Sequence, residues 1–105
     1  MWPTTYTFSM ITISETENFS QWFAGLRDTI AKARIKARLR SAGMGNFGDC
    51  KPVGEGVSEM RIHCGPGYRV YFVQRGLEMV ILLAGGDKGT QDKDIKTAVK
   101  LARQV

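Results

Sequence analysis

The stretch that decides the fold is EMRIHCGPGYRVYF, from Glu59 to Phe72. Two segments of alternating polar and apolar residues flank Gly65-Pro66-Gly67. A short connection rich in glycine and proline between alternating segments is typical of antiparallel strands joined by a turn. The stretch therefore predicts a β-hairpin with a three-residue connection.

The register of this hairpin decides which side chains share a face of the sheet. If Cys64 pairs with Tyr68, Arg61 lies opposite Tyr71 and His63 lies opposite Arg69. Because side chains alternate across a sheet, five polar residues then share one face: Glu59, Arg61, His63, Arg69 and Tyr71. A connection one residue longer would mix this set with the apolar set and bury arginine, which is costly. We therefore expect a polar, cationic platform backed by a hydrophobic core.

Length and composition indicate one folded domain over residues 1–105, with 43% hydrophobic and 24% charged residues. The 15 lysines and arginines outnumber the 10 acidic residues, which favours a polyanionic partner such as nucleic acid, an acidic protein or a membrane surface. The longest apolar run, Met79 to Ala84, is too short to span a bilayer. The first residues lack the pattern of a signal peptide. We therefore expect a cytoplasmic protein that does not insert into a membrane.

The sequence contains few signs of a cofactor site or a metal site. Cys50 and Cys64 lack CxxC spacing and His63 is the single histidine, so we predict two free thiols and no metal. Three glycines match the GxGxxG spacing of dinucleotide-binding turns: Gly43, Gly45 and Gly48. That motif needs a strand before it and a helix after it, whereas here the predicted order is reversed. We therefore predict no cofactor.

The residues before the hairpin predict one strand and two helices. Tyr6 to Ile13 is rich in strand-forming residues, and Ser14-Glu15-Thr16-Glu17 has the spacing of a helix capping box. Aromatic residues follow at helical spacing and are predicted to pack on the sheet: Phe19, Trp22 and Phe23. Asp28 is placed to cap a second helix that reaches about Ala42. The short connection between the two patterns indicates a helical hairpin.

The second helix carries five basic residues: Lys32, Arg34, Lys36, Arg38 and Arg40. They form either a solvated face or a contact surface for an acidic partner or RNA phosphates. The following segment, Gly43 to Gly56, is predicted to be a long connection, because Pro52 limits regular pairing. Met79 to Leu83 is continuously apolar and predicts an interior strand. Thr90 is placed to cap a final helix.

A set of motifs in fixed order resembles the addiction-module killer proteins of the RelE/ParE toxin superfamily, in its HigB-like branch. The motifs are LRD at 26–28, AKARI at 31–35, GNFGD at 45–49, KPVGEGVSEMRI at 51–62, GPGYRVYF at 65–72 and GGDKGTQDKDI at 85–95. The resemblance extends from about Phe19 to Ala102. It implies an α+β, RelE-like fold, with an N-terminal strand and a helical hairpin packed on a twisted antiparallel sheet and a short C-terminal helix.

The resemblance also implies a function: the toxin of a type II toxin–antitoxin pair, held inactive by a small antitoxin that often has a helix-turn-helix domain. RelE-like members are metal-independent endoribonucleases that cut mRNA, usually on the ribosome. ParE-like members instead poison DNA gyrase on a similar fold. A plain nucleic-acid-binding module is a third possibility for so basic a chain.

Ribonuclease chemistry without a metal needs a base, cations for the charge that grows on the phosphorane, and an acid. By resemblance, Arg69 and Arg61 match the arginines of the family motifs, and Lys88 closes the site as a phosphate clamp or proton donor. Each could instead be a surface residue or pair with a nearby carboxylate. RelE-type enzymes often use a tyrosine near the C-terminus, and no aromatic residue follows Phe72 here, so the acid or base comes from elsewhere.

Four further residues complete the predicted site: Glu59, Lys51, His63 and Tyr71. Glu59, like Glu55, is a candidate base or a counter-ion of Arg61. Lys51 could approach the RNA from its loop. His63 is a candidate proton shuttle or an exposed strand residue, and Tyr71 either stacks on a base or packs in the sheet.

Overall fold

A computed structural model of the protein describes residues 11–105. The strands and helices follow one another as β1 (Thr12–Glu15), α1 (Glu17–Gly25), α2 (Thr29–Gly43), β2 (Cys50–Gly54), β3 (Val57–Ile62), β4 (Tyr68–Arg75), β5 (Met79–Gly86) and α3 (Gln91–Ala102). A single 3₁₀ turn, Lys88–Thr90, precedes α3. The predicted α+β class, with helices before the hairpin and one at the C-terminus, is confirmed. None of the helices within residues 11–105 is long and apolar enough to cross a bilayer.

The strands form one sheet in the order β1-β5-β4-β3-β2. The β1 strand runs parallel to β5, while the other neighbours are antiparallel. The predicted antiparallel sheet is therefore present in β2 to β5, and β1 adds a parallel strand at its edge that makes the whole sheet mixed. The prediction that Met79–Leu83 forms an interior strand is confirmed, since β5 lies between β1 and β4.

The hairpin of β3 and β4 is present, but its register differs from the prediction by two residues. Arg61 pairs with Arg69, and Glu59 pairs with Tyr71. The connection runs from residue 63 to residue 67, with Gly65 and Gly67 at positive φ angles of 54° and 82°. Five residues therefore form the wider turn, instead of the predicted three. Because side chains alternate with a period of two, this shift leaves the two strand faces unchanged.

Helices cover both faces of the sheet. On one face α1 and α2 place Phe19 and Ile35 against the apolar side of the hairpin. On the other face α3 places Ala98 and Ala102 against Tyr71 and its neighbours. The expectation of a polar, cationic platform is wrong for much of this second face, because the apolar stripe of α3 also requires burial and covers it.

The segment Gly43–Gly56, predicted to be an unpaired connection, contains β2. This strand pairs with β3 at the edge of the sheet, and the register shifts between Pro52 and Gly54. Proline is tolerated on an edge strand, because its missing N–H need not bond to a further strand.

The helix caps are only partly as predicted. Asp28 caps α2, because its Oδ1 accepts a hydrogen bond from the Ala31 backbone N–H at 3.0 Å. Thr16, and not Ser14, caps α1, since β1 continues to Glu15 and delays the start of the helix. Thr90 stands at the N-cap of α3, but its hydroxyl donates to Asp94 instead of capping the helix. The predicted strand Tyr6–Ile13 lies mostly outside the described residues.

Gly85 allows α1 to approach β5 closely. A Cβ atom added at Gly85 would lie 2.1 Å from Cε3 of Trp22, which is far inside van der Waals contact. We expect Gly85→Ala to lower the free energy of unfolding by about 1–3 kcal/mol, the usual cost of overpacking. Urea denaturation followed by circular dichroism measures this change.

Gly25→Ala is the matched control, because no atom of the part of the chain that the structure describes lies within 4 Å of the added Cβ. We expect this variant to be at least as stable as the wild type, since alanine favours the helix by up to about 1 kcal/mol. Equal stabilities of the two variants would show that Trp22 moves aside without cost.

Candidate functional site

A cavity of about 590 Å³ opens at the turn of the central hairpin. The hairpin connection forms one wall, and Arg61, Arg69 and Lys88 complete the lining. We call this cavity the cationic pocket. The structure thus brings together three of the side chains that the sequence predicted for the site, and His63 with them.

Arg61 and Arg69 lie directly opposite each other on β3 and β4. Like charges in such a pair repel each other, so an anion between them is stabilising. Glu59 supplies one: its Oε1 lies 3.3 Å from Arg61 Nε and its Oε2 lies 3.4 Å from Arg69 Nε. Together with Lys88, three cations line the pocket, whereas Glu59 is buried and is not part of its lining. The pocket therefore attracts a further anionic group from solution.

Glu59 is fully buried and does not line the pocket. Besides the two arginines, Gln91 Nε2 donates to its Oε2 at 2.6 Å and Tyr71 Oη donates to the same oxygen at 3.3 Å. A carboxylate so enclosed has no contact with solvent or substrate. The predicted role of Glu59 as a base does not fit this environment, whereas the alternative prediction of a counter-ion matches its ion pairs with Arg61 and Arg69.

Tyr71 is also fully buried. Burial, reinforced by the neighbouring Glu59 carboxylate, raises the pKa of the Tyr71 phenol. The ring cannot stack on an RNA base, because α3 covers this face of the sheet. Of the two alternatives for Tyr71, the structure therefore shows the packed sheet residue.

Arg69 is held in place before any ligand arrives. Its side chain is 13% exposed, and Nη1 donates to the carbonyl oxygen of Gly67 at 2.9 Å. Among residues 11–105, its buried Nε has no hydrogen-bond partner and only the Glu59 ion pair. Arg61 is more open, with 31% of its side chain exposed. A preorganised arginine beside a more accessible one suits the binding of a phosphate.

His63 lies at the mouth of the pocket and pairs with a residue that the site prediction did not include. Its Nε2 lies 2.6 Å from Oδ2 of Asp49. The hydrogen bond from His63, followed by the nearby arginine charges, lowers the pKa of the Asp49 carboxyl. This bond holds the imidazole by one ring nitrogen, and the second ring nitrogen can bond to another partner. Proton transfer at this position is therefore chemically possible.

Two of the candidate residues, Lys51 and Glu55, lie away from the cationic pocket. Lys51 is exposed on β2 and does not line the cavity. Glu55 forms a bidentate ion pair with Arg103, with a shortest distance of 2.8 Å. The structure therefore does not unite Lys51 or Glu55 with the three cations.

Asp49 and Gln91 are the residues that reasoning from the sequence missed. Asp49 lies in the motif GNFGD, and Gln91 lies in the motif GGDKGTQDKDI. Their place in the motifs of the resemblance is the sequence signal that could have identified them. Neither stands near its partner in the sequence, so the contacts with His63 and Glu59 arise only on folding. Within residues 11–105, no three His, Cys, Asp or Glu side chains cluster as a metal site would require.

Fold and site together define a small α+β protein with a cationic pocket at the turn of its central hairpin. No protein-family model matches the chain. An uncharacterized protein of Haemophilus influenzae is 50% identical over 95 residues, which cover 90% of this chain and 96% of that protein. The chain belongs to the same family as this Haemophilus protein.

Proposed function

We propose that the protein is the toxin of a type II toxin–antitoxin pair and a metal-independent endoribonuclease that cuts mRNA on the ribosome. The observation that carries the proposal is the gathering of Arg61, Arg69 and Lys88 around one pocket, with His63 at its mouth. The resemblance of the motifs to RelE-like, HigB-like toxins supports the same function. The net charge of +5 favours a polyanionic substrate.

In the proposed reaction, the ribose 2′-oxygen attacks the neighbouring phosphorus while the bond from phosphorus to the 5′-oxygen breaks. The products are a 2′,3′-cyclic phosphate and a 5′-hydroxyl, so neither water nor an oxidant is consumed. Arg69 and Arg61 stabilise the charge that grows on the phosphorane oxygens. Lys88 clamps the phosphate or donates a proton to the leaving 5′-oxygen.

The proposed base is His63, which replaces Glu59 in this role. Imidazole is suited to accept a proton near neutral pH, and the Asp49 carboxylate stabilises the imidazolium that forms. His63 side-chain exposure of 73% leaves it accessible to a substrate at the pocket.

The proposal includes three partners: mRNA, the ribosome, and a cognate antitoxin that keeps the toxin inactive in the cytoplasm. The antitoxin is expected to be a small helix-turn-helix protein, as the resemblance implies. An acidic segment of such a protein suits the cationic pocket, because it places carboxylates where the RNA phosphate would lie.

The test adds purified protein to a cell-free translation reaction and maps the 5′ ends of the mRNA, with and without ribosomes. We expect cuts at codon boundaries only when ribosomes are present. Intact mRNA with undiminished translation contradicts the proposal. In that case a gyrase cleavage assay tests the ParE-like alternative, and nucleic-acid binding without either activity indicates a plain binding module.

A further inference from the structure

A second cavity, of about 410 Å³, lies between α2 and β3. Its lining consists of Arg34, Ala37, Arg38, Ser41, Ile62 and His63. We call it the helix cavity. Ile62 and His63 also line the cationic pocket, so the two cavities are contiguous.

Arg38 forms part of the wall of the helix cavity, and three of its five N–H groups donate to backbone carbonyl oxygens. Nη1 donates to the carbonyl oxygen of Arg61 at 2.5 Å, and Nη2 donates to those of Phe47 and Asp49 at 3.1 and 3.4 Å. Most of the edge of the planar guanidinium is therefore occupied, and its flat face is a surface on which a planar ligand can stack.

Gly48 fixes the same side chain from the other direction. A Cβ atom added at Gly48 would lie 2.8 Å from Arg38 Nη2 and 3.1 Å from its Cζ, so only glycine permits this packing. The guanidinium is therefore ordered before a ligand binds, and binding loses little side-chain entropy.

From these contacts we infer that the helix cavity is a subsite for one nucleobase of a single-stranded RNA whose phosphate lies in the cationic pocket. Arginine planes stack on unpaired bases in RNA recognition. Ala37 is an exposed apolar residue of the lining, and the Ser41 hydroxyl can donate to or accept from a base edge. The exposed Arg34, whose Nη1 donates to the His63 carbonyl oxygen at 3.4 Å, adds positive charge at the rim.

The inference rests on the proposed function, because it takes RNA as the ligand of the contiguous pocket. It adds a property that phosphate binding alone does not require. At one position of the RNA, the protein binds a nucleotide with its base more tightly than an abasic ribose. This property can be measured separately from cleavage.

The test uses a fluorescently labelled five-nucleotide single-stranded RNA and the same RNA with one central abasic ribose. Fluorescence anisotropy gives both dissociation constants. We expect the wild type to bind the intact RNA about tenfold more tightly, as one base stack is worth roughly that factor. Equal affinity of the wild type for the two RNAs, or no affinity for either, overturns the subsite.

Ala37→Leu fills the helix cavity without changing charge, and we expect it to bind both RNAs equally. Ala33→Leu is the matched control, because Ala33 is exposed one turn earlier on α2 and does not line the cavity. Leucine favours a helix nearly as well as alanine, so both variants keep the fold. If Ala37→Leu still binds the intact RNA more tightly than the abasic RNA, the proposed subsite is wrong.

The translation assay separates this inference from the proposed function. If mRNA stays intact while the wild type and Ala33→Leu still prefer the RNA with its base, cleavage is refuted and the subsite is supported. If mRNA is cut but the wild type binds the abasic RNA as tightly as the intact RNA, the subsite alone is refuted.

Discussion

Replacing Lys88 with alanine is expected to slow mRNA cleavage by about 10²- to 10³-fold, the usual loss when one group that stabilises a developing charge is removed. Lys88 lines the cationic pocket from the 3₁₀ turn, and within residues 11–105 its ammonium has no ion-pair partner. Its charge is therefore available to the phosphate in the transition state. The rate of appearance of mapped 5′ ends in the translation reaction measures the effect.

Lys96→Ala is the matched control for this experiment. Lys96 is exposed on α3, so its removal changes the net charge equally but leaves the cationic pocket intact. We expect cleavage by this variant to remain within a fewfold of wild type, since only long-range attraction weakens. Equal losses of cleavage rate in the two variants would show that Lys88 acts only through long-range attraction and makes no specific contact with the phosphate.

Replacing Glu59 with alanine is expected to lower the free energy of unfolding by about 3–5 kcal/mol, the usual cost of removing one partner of a buried ion pair. Glu59 is fully buried and holds two arginines of like charge, together with Gln91 and the Tyr71 hydroxyl. Without the carboxylate, the Arg69 guanidinium loses its counter-ion in a site where only 13% of its side chain reaches solvent. Urea denaturation of the purified variant measures the change.

Glu55→Ala is the control for the Glu59 variant, because it removes the same side chain from an exposed ion pair. Glu55 and Arg103 have side chains that are 54% and 65% exposed, so their pair is screened by water. Loss of such a pair typically costs about 0–1 kcal/mol. If Glu59→Ala were as stable as Glu55→Ala, the ion pairs of Glu59 with the two arginines would not stabilise the fold, contrary to this prediction.

The contrast between Glu59 and His63 shows how far the site could be predicted. The alternation of residues along the hairpin predicts both as site residues, because it places polar side chains on one face. Burial separates them: Glu59 is covered, whereas His63 lies beyond the end of β3 and reaches solvent. The amphipathic pattern of α3 indicates that it packs on something, but not which face of the sheet it covers.

By itself, the sequence determined the α+β class, the helix cap at Asp28, the interior strand and the central hairpin, because each depends on neighbouring residues. It also determined the faces of the hairpin, since a register shift of two residues does not alter them. The tertiary structure alone decided the parallel pairing of β1 with β5, the enclosure of Glu59 by Gln91, and the contact of Asp49 with His63. These contacts join residues that are distant in the chain, and their geometry depends on how whole elements pack, which local periodicity does not specify.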